Sequence, residues 1–136
     1  MLSVYPLYLW IILIGLIMRI LFIGDIIGED GCRYICDRLP SVKRENKIDA
    51  VIANGENSAN GNGITTKSAN LLLSAGVDCI TTGNHAFQRG NCDEVFEHSN
   101  IIRPLNFKDA PYGNGSYLID FGKNAGKDCA LLPQAA

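Results

Sequence analysis

Three short clusters in the 136-residue chain carry side chains able to hold a metal ion: Gly24-Asp25, Asn54-Gly55-Glu56-Asn57 and Gly83-Asn84-His85. Each sets a glycine beside groups with oxygen or nitrogen lone pairs. Two carboxylates, an amide oxygen and an imidazole form a donor set that suits Mn, Fe or Zn better than a soft metal. Taken singly, each residue has an ordinary structural use. Asp is a favoured N-cap, Asn54, Asn57 and Asn60 can be turn formers, and His85 can be a surface-loop histidine. The argument for a site is the repetition of the pattern at equivalent places along the chain.

Those places are the ends of apolar runs. Residues 19–24, 49–54 (DAVIAN) and 77–82 (VDCITT) have the composition of short strands buried on both faces of a sheet. Between the first two, Cys32, Ile35, Cys36 and Leu39 fall at i, i+3, i+4 and i+7 and predict one apolar helix stripe. Pro40 is expected to end or bend that helix, and the polar residues 41–47 to return the chain across the surface. Residues 57–63, NSANGNG, read as a loop. Thr65 or Thr66 can cap a second helix carrying Leu71, Leu72 and Leu73, with Gly76 as its stop. Asn91 and Glu94 resemble a capping box opening a third helix through Val95 and Phe96. Residues 101–104 and 116–121 are weaker strand candidates.

The order β-α-β-α-β-α-β predicts an α/β fold, a mainly parallel sheet with flanking helices and right-handed crossovers. Ligands of such sheets bind beyond the carboxyl ends of the strands, and the three clusters converge on that rim. A glycine loop cradling phosphate is the competing reading of residues 24–31, GDIIGEDG. Its spacing is neither the dinucleotide fingerprint nor a P-loop, and no lysine follows.

Twelve Lys and Arg against fourteen Asp and Glu give a net charge of -2. That balance argues against nucleic-acid binding through a basic surface. It leaves a nucleotide substrate open, because a small site can hold phosphate through metals. The length fits one domain with a real core. The five cysteines, Cys32, Cys36, Cys79, Cys92 and Cys129, are odd in number and match no zinc spacing. They read as reduced thiols of a cytoplasmic protein.

The apolar run of residues 7–18, LYLWIILIGLIM, is shorter than the roughly 20 residues of a membrane span and has no preceding positive charge. The favoured division is an apolar extension over 1–17, arising upstream of a true start at Met18, and a partial domain over 18–136. Membrane anchoring through residues 1–24 is the alternative.

The residues 18–28 (MRILFIGDIIG), Asn54-Gly55-Glu56-Asn57, Thr82-Gly83-Asn84-His85 and Arg103-Pro104-Leu105-Asn106-Phe107 together resemble one branch of the calcineurin-like metallophosphoesterases. That branch is the bacterial 2′,3′-cyclic-nucleotide 2′-phosphodiesterase type, and the resemblance covers roughly residues 18–125. The wider superfamily has Asp-x-His at the first strand and Gly-Asp at the second. Ile27 and Glu56 stand there in this chain, as in the branch.

The resemblance implies the N-terminal half of a metallophosphoesterase α/β sandwich and a small phosphodiester or cyclic nucleotide as substrate. It also implies two divalent metal ions (Fe, Mn or Zn). Asp25 would bind the first, Glu56 would bridge both and Asn84 would bind the second. His85 would act as general acid beside the scissile phosphate, and Asn57 would bind a metal or orient the phosphate. A metal-held hydroxide would attack phosphorus in line. The family draws further ligands, chiefly histidines, from a second half. This chain has only His85 and His98, and His98 reads as structural or solvent-facing. The expectation is therefore a truncated phosphodiesterase, in which a homo-oligomer could supply missing ligands. The alternatives are an inactive family remnant and a membrane-anchored binding module.

Overall fold

The computed structural model describes residues 7–13, 16–120 and 128–131, with side chains from 18 to 120. A five-stranded sheet runs in the order β1-β2-β3-β4-β5. Its members are β1 (Leu7–Leu13), β2 (Leu16–Ile23), β3 (Ala50–Asn54), β4 (Cys79–Thr81) and β5 (Ile101–Ile102). The last four are mutually parallel, and β1 adds to β2 in antiparallel fashion with Leu7 opposite Phe22 and Leu13 opposite Leu16. Met18, read from the sequence as the start of the domain, is thus the third residue of β2. Among the described residues no helix is long and apolar enough to cross a membrane.

Between the parallel strands lie α1 (Gly28–Asn46), α2 (Thr66–Ser74) and α3 (Cys92–Phe96). The strands alternate side chains between two faces. Leu21, Val51, Ala53, Ile80 and Ile101 face a core built with Cys32, Ile35 and Leu39 of α1, Ala69 and Leu72 of α2, and Val95 and Phe96 of α3. Ile20, Ala50, Ile52, Cys79 and Ile102 form a second cluster with Ile119. Ile119 belongs to β6 (Tyr117–Asp120), which pairs with β7 (Asp128–Leu131) in a separate antiparallel sheet. Burying each such Val or Ile side chain contributes about 1.5–3 kcal/mol. Packing on both faces fixes the register of β2, β3 and β4 and so aims the three loops that follow them.

Two local expectations are corrected. Pro40 does not end α1, which continues over residues 41–46 instead of crossing the surface as a loop. Tertiary anchors hold the later turns. Lys43 Nζ donates to Gly76 O at 2.9 Å and pairs with Asp78, and Arg19 Nη1 donates to Asn46 O at 2.7 Å. The helix then closes at Lys47, which takes a left-handed conformation with φ 52°. The capping box at Asn91 does not form either. Asn91 has φ 65°, far from the extended backbone that aims an N-cap side chain. Glu94 instead accepts from Thr66 Oγ1 at 3.3 Å. Residues 128–131, assigned no element from the sequence, form β7. Pro133 and the other residues from 132 on, together with Phe121, lie outside the described residues.

The second helix follows expectation. Thr65 is its cap, and Thr65 and Ser68 exchange the reciprocal bonds of a capping box.

Candidate functional site

The loops after β2, β3 and β4 are laced together by backbone bonds. Ile26 N donates to Asn54 O, Gly28 N to Asn57 O and Gly55 N to Thr81 O, each at 3.0 Å. A Cβ on Gly55 would lie 2.8 Å from the Ile80 side chain, so only glycine lets the β3 loop turn so close to β4. These ties bring Asp25, Asn57, Glu56 and His85 onto one rim.

Asn57 joins the first cluster to the third. Its Nδ2 donates to both Asp25 carboxylate oxygens, at 2.8 and 3.0 Å, and its Oδ1 lies 2.7 Å from His85 Nδ1. An ionised carboxylate only accepts, so Asp25 fixes which end of the amide faces it. The carbonyl end is then left for His85, and Nδ1 must carry a hydrogen to donate. Nε2 remains as the nitrogen free to exchange a proton.

Glu56 joins the second cluster to the third. Its Oε2 accepts from the His85 backbone N–H at 3.2 Å, and its Oε1 accepts from Asn54 Nδ2 at 3.3 Å. Asn54 Oδ1 in turn accepts from the Glu56 N–H at 3.0 Å, a side-chain turn two residues long. A Cβ on Gly83 would collide with the Glu56 carboxylate, so the glycine leaves the space the carboxylate occupies. Asn84 is exposed, and its side chain makes no hydrogen bond among the described residues. His98 lies two residues beyond α3, away from these bonds.

The sequence reading missed the supports of this rim. Ser58 Oγ, buried, donates to Gly55 O at 2.7 Å and lies 2.9 Å from Ser68 Oγ. Arg89 reaches back from the β4 loop to Asn62 O at 2.5 Å and Ala59 O at 2.6 Å. Asn54 reads from the sequence as a member of the strand-end cluster or as a turn former, not as a partner of Glu56. The spacing Asn54-x-Glu56 is the available signal, since an Asn side chain commonly binds the N–H two residues on.

The residue types on this rim are ones a divalent ion takes as ligands. Asp25, Glu56 and Asn84 offer oxygen ligands, and each carboxylate retains lone pairs beyond those its hydrogen bonds use. Three ligands do not fill the coordination of two divalent ions, and no group of three or more His, Cys, Asp or Glu gathers as a metal site among the described residues. Two cysteines reach carbonyls behind the rim, Cys32 Sγ facing Ser58 O at 3.9 Å and Cys92 Sγ facing Arg89 O at 2.6 Å. Cys32, Cys36, Cys79 and Cys92 are free thiols. Burial, reinforced by Cys36 and Glu29, pushes the Cys32 thiol above its ordinary range.

The family described as YmdB-like protein matches residues 21–132. The 2′,3′-cyclic-nucleotide 2′-phosphodiesterase of Bacillus subtilis strain 168 is 38% identical over 116 residues, which are 85% of this chain and 43% of that protein. A crystal structure of a hypothetical protein from Thermus thermophilus superposes with TM-score 0.76 at 37% identity, over 85% of this chain and 44% of the other. A structure described as a novel phosphatase from Mycoplasma pneumoniae gives TM-score 0.70 at 34% identity, over 78% and 40%. The chain thus spans roughly two fifths of the length of these relatives.

Proposed function

The chain belongs to the YmdB-like protein family, and from that premise we propose that it acts in metal-dependent cleavage of small phosphodiesters, 2′,3′-cyclic nucleotides among them. The observation that carries the reading is the bonded series Asp25, Asn57, His85 and Glu56 across three strand ends. The name of the Bacillus relative supports the substrate class.

In this reading Asp25, Glu56 and Asn84 hold the divalent ions of a calcineurin-like centre, Fe, Mn or Zn. Such ions, when bound, supply a water acidic enough to give hydroxide near neutral pH and positive charge for the phosphate oxygens. The protein's own part is positional and protonic. Asn57 holds the His85 ring through Nδ1–H, so the proton given to the departing ribose oxygen would leave Nε2 of the doubly protonated ring, which becomes the neutral imidazole with its hydrogen still on Nδ1. The His85 peptide N–H holds Glu56 in place beside the same ring. Ligands beyond these three come from outside the described residues or from a second copy. The free thiols accord with a reducing, cytoplasmic setting.

The test is hydrolysis of bis-p-nitrophenyl phosphate and 2′,3′-cyclic AMP by the full chain, with Mn²⁺ and with chelator. The expected result is turnover that needs Mn²⁺ and disappears in Glu56→Ala. A folded sample without turnover, or turnover indifferent to chelator, would overturn the reading for this chain.

A further inference from the structure

We propose that Asn54 and Gly83 are positioning residues for the Glu56 carboxylate, working with the peptide N–H of His85 to preset its orientation; this rests on Glu56 being a metal ligand, as read above.

The argument begins with what a free glutamate would do. Glu56 follows a strand end and is only partly buried, so an unrestrained side chain would sample several rotamers. Two donors remove that freedom here, and a glycine leaves room for the result. Asn54 Nδ2 holds Oε1 at 3.3 Å, and His85 N holds Oε2 at 3.2 Å. Gly83 lacks the Cβ that would occupy the carboxylate's position. Both oxygens are thus held by donors from different loops. A carboxylate accepts at about four lone-pair sites, so two remain to face a cation. Donors that bind a ligand from behind orient it and commonly change metal affinity by about 10–100-fold when removed.

Asn54 has two separable duties. Its Oδ1 closes the turn onto the Glu56 N–H, and its Nδ2 holds the carboxylate. Asn54→Asp retains an acceptor for the turn and replaces the donor by a second negative charge. Asn54→Ala removes both.

The experiment uses the full chain, with hydrogen exchange of the His85 amide measured by NMR without metal and Mn²⁺ affinity measured by calorimetry. In wild type the His85 amide is protected by Glu56, and Glu56→Ala exposes it. The expected result is that Asn54→Ala, Asn54→Asp and Gly83→Ala all speed His85 exchange toward the Glu56→Ala rate. Asn54→Ala and Gly83→Ala are expected also to weaken Mn²⁺ binding by about 10–100-fold. Wild-type protection in Asn54→Asp would overturn the proposal, leaving Asn54 a turn residue only. The Asp variant keeps the question decidable if Gly83→Ala fails to fold. Unchanged Mn²⁺ affinity in Glu56→Ala would instead sink the metal-ligand reading, while the exchange rates would still decide whether Asn54 holds the carboxylate.

Discussion

The loop after β3 and the loop after β4 face each other across the rim, yet they are built on different principles. The β3 loop is braced many times over, by its own side chains, by α2 and by Arg89. Asn54 holds Glu56, Ser58 binds Gly55 O and Ser68, and Asn62 and Ala59 accept from Arg89. The β4 loop carries fewer supports near its working residues. Thr82 Oγ1 binds Ile102 O at 2.9 Å, after which Asn84 is exposed and His85 takes both its ring and its peptide bond partners from the β3 loop. The difference teaches that one loop is a framework and the other is set against it. Stability and chemistry should therefore divide unequally between them.

The largest effect expected is chemical and falls on the β4 loop. His85→Ala should lower kcat for a phosphodiester by about 10²–10⁴-fold, the usual worth of a positioned general acid. Its melting temperature should change little, because the half-buried ring has one side-chain partner. A variant that keeps wild-type kcat would remove His85 from the reaction. The converse change is Ser68→Ala in the buried bracing of the β3 loop. It strips partners from Ser58 and from the Thr65 N–H. Leaving buried polar groups unmatched costs about 1–3 kcal/mol, readable as a lower urea midpoint. If the midpoint does not move, the braced framework is not what holds the β3 loop.

Much of this was legible from residue order, and the reasons are local. The strand ends at Ile23, Asn54 and Thr81 follow from short apolar runs, whose burial on two faces leaves little choice of register. The Thr65 cap was legible because its partner Ser68 is three residues away. The continuation of α1 through Pro40 was not, because the bonds that hold the later turns come from Gly76, Asp78 and Arg19, far along the chain. The Asn91 box misled for a related reason. The residue types were right, but the backbone there is left-handed. In the site, the side-chain types were legible while their couplings were not. Nothing in Asn57 alone says that it spans from Asp25 to His85, and nothing in Arg89 says that it reaches residues 59–62.

A smaller effect is expected where the two loops are stapled. Arg89 is the one described side chain of the β4 loop that supports the β3 loop rather than leaning on it. Arg89→Ala should cost about 1 kcal/mol, the usual net value for a partly exposed bond. It should also raise proteolytic cleavage at residues 59–63, since a loop opened locally is cut before the core unfolds. Wild-type protection of that segment would mean that the turn at Gly61 and Gly63 holds itself.

The smallest structural effect is expected at Asn84, and its smallness is the point. Its side chain is exposed with no hydrogen bond among the described residues, so Asn84→Ala should leave the urea midpoint unchanged, as surface substitutions usually do. If the β4 loop holds a ligand waiting for a cation, the same variant should nevertheless weaken Mn²⁺ binding measured by calorimetry. Glu56→Ala supplies the contrast, because it removes a carboxylate already bound by Asn54 and His85. Loss of that carboxylate should disturb the His85 amide as well as the metal, whereas loss of the Asn84 amide should disturb the metal alone. A lowered midpoint in Asn84→Ala would show that this side chain supports the fold. Unchanged Mn²⁺ affinity would strike Asn84 from the ligand set and leave the β4 loop contributing His85 only.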